Sequence, residues 1–232
     1  MVREELLFPY ISSCNIACGG HTGNLESMGE TIALAQSHGI AIGAHPSYPD
    51  REGFGRSVMK IGKGQLVESI REQLAALEGV VDTAGAVLHH IKAHGALYNQ
   101  TAVDSLVAGT YLEAIMDHRD RALLFVPYGS VVSKMALAMG FGIRYEAFAD
   151  RNYRTDLTLV PRGEKQALIR EPAKALDHIL PMIKKGKVSF LDGRTGTIVA
   201  QTICVHSDGP SALEILMYLS RELPKHRVKV EQ

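Results

Sequence analysis

Short apolar runs and longer amphipathic stretches take turns along the chain. The apolar runs fall at 15–18, 40–44, 86–88, 122–126 and 198–205. Their β-branched residues and flanking Gly or Pro predict strands for most of them. Between them the period changes. Leu25, Met28, Ile32 and Ala35 recur at spacings of three and four, and Gly39 follows as a helix stop. Leu66, Ile70, Leu74, Leu77 and Val81 form a second apolar face, with Glu68, Arg71, Glu72 and Glu78 off it. Further helices are predicted near 102–117, 130–140, 171–185 and 211–222. Strand and helix in alternation imply an α/β fold, a mostly parallel sheet covered by helices. No linker or repeat interrupts the pattern, so one domain over residues 1–232 is the simplest reading. The pattern does not separate a barrel from an open sheet.

Polar residues gather where the predicted strands end. His21 follows the first run through Gly19-Gly20, and His45 directly follows the second. Lys92, His94, Tyr98 and Asn99 come at and after the end of the third, Tyr128 after the fourth. Asp150 and Arg151 follow Phe148-Ala149, and His206, Ser207 and Asp208 follow Val205. In parallel α/β folds the loops after strands share one face, and that face holds the site. A single histidine at a strand end is commonly a capping or packing residue. Four of them, His21, His45, His94 and His206, shift the balance towards chemistry. His38, His118, His178 and His226 lie on or near helical stretches and read as solvent-facing or capping. His89 and His90 are neighbours on a strand and point to opposite faces, at most one of them inward.

Neutral imidazoles either ligate a divalent metal or move protons near neutral pH. His21 and His45 with one carboxylate would make a three-ligand metal site, although no H-x-x-x-H or H-E-x-x-H motif supports it. Asp50, Asp150 and Asp208 are candidate general bases, with turn formation as the competing role. Lys92 sits two residues before His94, on the same face if the strand continues, and would neutralise a carboxylate or phosphate. Arg51, Arg56, Arg151 and Arg162 are candidates for bidentate anion binding, or for surface pairing. Gly19-Gly20 and Gly53-Phe54-Gly55-Arg56 allow close backbone approach. They match neither a phosphate-binding loop nor a dinucleotide fingerprint, and no G-x-S-x-G elbow is present.

Composition narrows the class. Lys+Arg and Asp+Glu both number 25, so no electrostatic footprint for nucleic acid or an anionic membrane exists. Hydrophobic residues make up 46%, enough for a packed core. Cys14, Cys18 and Cys204 are too few for a disulfide framework and fit a reducing, cytoplasmic setting. Cys14 and Cys18, without a second cysteine pair, read as structural rather than zinc-binding. No signal peptide is evident after Met1, and no stretch reaches the ~18 apolar residues of a membrane span.

Five segments, NIACGGHTGN, GAHPSYPDREGFGR, IKAHGALYN, FADRNYRTDLTLVPR and QTICVHSDG, fall in order from about residue 12 onward. Together they resemble the signature segments of the LamB/YcsF family. The resemblance implies a seven-stranded (β/α) barrel-like fold related to glycoside hydrolase and deacetylase barrels. It implies the A component of an ATP-dependent 5-oxoprolinase, which opens 5-oxoproline to glutamate with subunits B and C as partners. ATP would be co-substrate through that complex, with a divalent metal an open alternative. Family members usually start with an acidic strand. This chain starts at MVREELLFPY, so the first strand is expected to be absent. The gap would leave unpaired edges, which a partner or a second copy of the chain would cover. Smaller departures are Gly20 where an aromatic is common, Asn24 where Asp is common, and Ala93 where Pro is common. On this reading His45, His94 or Asp150 activates water, and Lys92 and Arg56 hold carboxylate or phosphate. Tyr98, Asn99, Arg151 and His206 complete the substrate contacts. Two other readings compete: a stand-alone metal-dependent deacetylase or carbohydrate-processing hydrolase, and a non-catalytic scaffold.

Overall fold

A computed structural model describes residues 4–230. It divides into two compact units. The central unit is Ser13–Arg144; the terminal unit joins the segment through Ser12 to the chain from Tyr145 onward.

In the central unit β1 (Ser13–Ala17), β2 (Ala41–His45), β3 (Leu88–Ile91) and β4 (Leu123–Pro127) run parallel in that order. Crossovers through α1 (Leu25–Ser37), α2 (Lys63–Thr83), and α3 (Gly95–Val103) with α4 (Ser105–Ala114) join them, and α5 (Val131–Ala138) follows β4. Helix α1 starts in a reciprocal cap. Asn24 Oδ1 accepts from the Ser27 N–H at 2.8 Å, and Ser27 Oγ accepts from the Asn24 N–H at 3.0 Å. Met28, Ile32 and Ala35 are buried as their spacing requires; Leu25, at the first turn, is exposed. All five apolar positions of α2 are buried. Each fully buried Leu or Ile stabilises by about 1.5–3 kcal/mol.

The helix expected over 102–117 is two helices, because Asp104 caps a new start. Its Oδ1 accepts from the Leu106 and Val107 N–H groups at 2.8 and 3.1 Å, satisfying donors that otherwise have no partner. Strand β3 starts at Leu88, later than the apolar run. A register shift against β2 sets Gly43 opposite His90. A Cβ at Gly43 would lie 2.1 Å from His90 Nε2, so glycine there makes room for the ring. His90 is fully buried, stacked on Phe125 and bonded to Asn15 Oδ1 at 3.1 Å, while His89 on the other face is exposed. His118 departs from its solvent-facing reading: it is buried, its Nε2 3.0 Å from Glu78.

In the terminal unit β5 (Ile143–Phe148) lies parallel to β8 (Thr202–Cys204), with Phe148 opposite Cys204. Between them run an irregular segment, α6 (Pro172–Lys185) and the antiparallel hairpin of β6 (Lys187–Ser189) and β7 (Thr195–Thr197). The hairpin precedes the apolar run expected as a strand over 198–205, of which Thr202–Cys204 pairs as β8. After β8, α7 (Ala212–Glu222) packs on α6 through Ala175, Leu176, Ile179, Ile215 and Leu219. His178, expected to face solvent, lies against the Tyr153 ring instead, and burial pulls its pKa down to about 4. Among the described residues no helix is long and apolar enough to cross a membrane.

Candidate active site

The central unit brings three of the strand-end histidines together. Backbone bonds continue past the strands: the Lys92 N–H donates to Ala44 O at 2.9 Å and the His94 N–H to Pro46 O at 2.8 Å. Lys92 and His94 therefore lie beyond the end of β3 rather than on it, and His94 caps α3. His45 Nδ1 lies 2.7 Å from Lys92 O, and His94 Nε2 lies 2.9 Å from Phe54 O. A carbonyl oxygen only accepts, so both nitrogens carry protons. The other two nitrogens, His45 Nε2 and His94 Nδ1, face each other at 3.0 Å. With both rings neutral, two lone pairs meet there. One added proton makes the contact a hydrogen bond and the pair a single positive charge. Burial, followed by the charges of His94 and Lys92, holds His45 well below the usual histidine range and opposes that proton.

His21 stacks on His94 with ring centroids 3.7 Å apart and planes 3° off parallel. Burial, then His94, Arg56 and Arg51, pulls its pKa down to about 3. The Phe54 edge closes on both rings, and the Arg56 guanidinium lies 4.8 Å from the Phe54 ring centre. Phe54 itself has φ 54, a left-handed conformation unusual for an aromatic residue. That conformation accompanies the carbonyl which fixes His94, and strained backbone of this kind clusters at functional sites.

Residues outside the histidine set fix this geometry, some of them in roles other than those expected. Arg51 was expected as an anion ligand. Instead its Nη1 and Nη2 donate to Gly19 O and Gly23 O at 2.8 and 3.1 Å, bracing the loop that carries His21. Gln73, buried on α2, both accepts from the Ser47 N–H and donates to Ser47 O, each at 2.9 Å. A Cβ at Gly20 would come 2.3 Å from Gln73 Oε1, so Gln73 fills the space beside Gly20. Only a glutamine on an otherwise apolar helix face hinted at this. Gly95, φ 57, allows the approach of Gly55, whose carbonyl would be 2.4 Å from a Cβ there. Asp50 serves the turn: its Oδ1 accepts from the Gly53 N–H at 2.8 Å.

Lys92 is buried, its Nζ 5.6 Å from the centre of the buried Tyr98 ring. Asn99, the next residue of α3, is exposed, as is Arg56. Cys18 is a packed thiol. Its Sγ donates to Ile16 O and accepts from the His45 N–H, and burial pushes its pKa up to about 12. Both ring nitrogens of His45 are engaged, and among the described residues no group of three His, Cys, Asp or Glu side chains is arranged for a metal. The His21–His45 pair thus does not fit a divalent ion in this arrangement.

The terminal unit builds a second polar cluster. Counting on from Phe148 opposite Cys204 puts Asp150 beside His206. His206 donates its backbone N–H to Asp150 Oδ2 at 3.1 Å and its Nδ1 to the same oxygen at 2.9 Å. Burial alone would raise Asp150; the hydrogen bonds and charge of His206, with Arg151 beside it, outweigh that and hold the carboxyl below its usual range. The His206 ring lies flat against Phe148, 5.4 Å between centres. Arg151 is buried, with one nitrogen donating to Val160 O at 2.6 Å and its Nε without a hydrogen-bond partner among the described residues. Arg162 pairs with Asp208 at 3.1 Å, which occupies two residues expected as anion ligand and base.

Parallel strands joined by helices, with polar groups at the trailing strand ends of each unit, define an α/β protein, a class in which chemistry commonly sits at those ends. The LamB/YcsF family profile matches residues 1–232. A Methylococcus capsulatus protein named as the A component of 5-oxoprolinase is 41% identical over 230 residues, covering 99% of this chain and 88% of that one. A Bacillus cereus protein of the same name is 39% identical over 223 residues, 95% of this chain and 88% of its own. A crystal structure of a lactam utilization protein from Thermus thermophilus superposes with TM-score 0.91 at 34% identity, over 100% of this chain and 92% of that one. The chain belongs to the LamB/YcsF family and shares the α/β fold of that solved structure.

Proposed function

We propose that the chain is the A component of a 5-oxoprolinase, a hydrolase component that opens the cyclic amide of 5-oxoproline to glutamate. The observation that carries this reading is the nearly end-to-end match, at 41% identity, to a protein bearing that name. Subunits B and C are its partners, ATP is the co-substrate used within the complex, and the cytoplasm is its setting. A planar amide resists attack by water. Transfer of a phosphoryl group to the amide oxygen makes the carbon a better electrophile, and a positioned water then attacks.

The chain's residues suit parts of that task. Lys92, buried at a strand end, offers a charge for the substrate carboxylate or a phosphoryl oxygen, with Tyr98 beside it. Arg56 offers a planar guanidinium group for such an anion in the central unit, and Arg151 offers one in the terminal unit. His45, which burial holds well below the usual histidine range, and His94 in the central unit, and the Asp150–His206 pair in the terminal unit, are the groups through which protons can pass. His21 walls the site by stacking on His94.

The test is reconstitution. The chain is mixed with purified B and C partners, and 5-oxoproline-dependent ATP hydrolysis and glutamate release are measured. Glutamate formed only when all three are present supports the reading. Amide turnover without ATP or partners, or none under any condition, overturns it.

A further inference from the structure

Only some strand-end histidines keep a nitrogen for chemistry. His45 and His94 commit both ring nitrogens within the protein. His206 commits Nδ1 alone, to Asp150, and no described residue hydrogen-bonds its Nε2. Three contacts fix the ring: the Nδ1 bond at 2.9 Å, the backbone N–H bond to the same carboxylate at 3.1 Å, and the stack on Phe148. The carboxylate is 9% exposed by side chain and the imidazole 24%, so the acceptor lies beneath a ring that solvent reaches. A carboxylate accepts only, so Nδ1 bears the proton and a neutral ring presents its lone pair at Nε2.

We propose that His206 is the catalytic residue that carries the proton in amide opening, and that Asp150 is a positioning residue acting through it. This rests on the lactam-opening reading above. A water O–H bond breaks as its oxygen bonds to the amide carbon, and Nε2 takes the proton. The carbon–nitrogen bond then breaks, and Nε2 returns that proton to the departing ring nitrogen. The immediate products are an amine and an acyl phosphate, which a second water hydrolyses to the carboxylate and inorganic phosphate, and Asp150 stays ionised throughout. The assignment exchanges the roles that the sequence suggested, a base at Asp150 and a substrate contact at His206. It follows from register: parallel pairing sets the two residues side by side, and the one with the smaller exposure serves the other.

Two measurements test it. In the reconstituted complex, His206→Gln should lower kcat about 10²–10⁴-fold with little change in KM for the lactam. Asp150→Asn should also lower kcat, by up to about 10⁴-fold, since an amide can donate to Nδ1 and stabilise the opposite tautomer. On the chain alone, ¹⁵N NMR should find His206 protonated at Nδ1, and at Nε2 in Asp150→Asn. A His206→Gln complex keeping more than about a tenth of wild-type kcat would overturn the assignment. So would an Asp150→Asn loss without a change of tautomer, which would make Asp150 the reacting base. If the wild-type complex forms no glutamate, the lactam reading falls, while the tautomer measured on the chain alone still decides how Asp150 holds His206.

Discussion

The two units hold their histidines by different means. In the central unit, carbonyl oxygens and neighbouring rings fix His45, His94 and His21, and burial keeps His45 and His21 neutral. In the terminal unit a carboxylate fixes His206. A carbonyl selects a tautomer without adding charge, and an aromatic wall raises the cost of protonation. A carboxylate selects a tautomer and also stabilises a ring that gains a proton. The first arrangement suits a shaped, largely uncharged surface; the second suits proton transfer.

The sharpest way to break the comparison is His94→Ala. It leaves Phe54 O and His45 Nε2 without their partner and takes the stacking face from His21. Reconstituted turnover should fall at least about 10²-fold, and urea unfolding should show a loss of about 1–3 kcal/mol. Unchanged turnover would reduce the central cluster to packing. Gly95→Ala comes next. The left-handed conformation costs about 1–2 kcal/mol for a residue with a side chain, and the new Cβ would meet Gly55 O. Tm should drop by roughly 4 °C or more in a chain of this size. Gln73→Ala removes both partners of the Ser47 backbone, with an expected loss of about 1–3 kcal/mol by denaturant unfolding.

The smaller effects concern pH and the surface. His90 and His178 have folded pKa values lowered to about 3 and about 4 from 6.5, so the unfolded chain binds protons more readily. The stability each contributes is therefore present above pH 6.5. It is lost as pH falls towards about 4 for His178 and about 3 for His90, at up to about 1.4 kcal/mol per pH unit for each. His178→Phe should flatten part of that acid slope in unfolding curves taken between pH 7 and 4.5. Arg162→Ala breaks a partly exposed ion pair and should cost no more than about 1 kcal/mol. A larger loss would mean that the pair braces the His206 loop.

Much of the central unit was legible in the sequence. The spacing of Leu66, Ile70, Leu74, Leu77 and Val81 placed α2, and the polar residues after each apolar run anticipated the meeting of His21, His45 and His94. What stayed hidden depends on distant partners or on local signals that apolar periodicity masks. Asp104 splits a helix because its carboxylate reaches two N–H groups, a local event that apolar periodicity masks. His118 and His178 looked like surface residues because nothing in their own segments announces Glu78 or Tyr153. The β6–β7 hairpin is short and half polar, and alternation over three residues carries little signal. Asp150 and His206 were both legible as strand-end residues, but their pairing required the register of β5 on β8.

That register has an evolutionary reading. The residues between Asp150 and His206 make up an irregular excursion, a helix and a hairpin, yet the pair is located by counting two positions past Phe148 and Cys204. The span between can lengthen, shorten or exchange its contents while the dyad persists, since closing a longer loop costs only about 0.6 kcal/mol per doubling. A slip of one residue in β8, by contrast, would turn His206 to the opposite face of the sheet. Changes of length between Arg162 and Gln201 should therefore leave the dyad in place, whereas a one-residue slip of β8 should dismantle it.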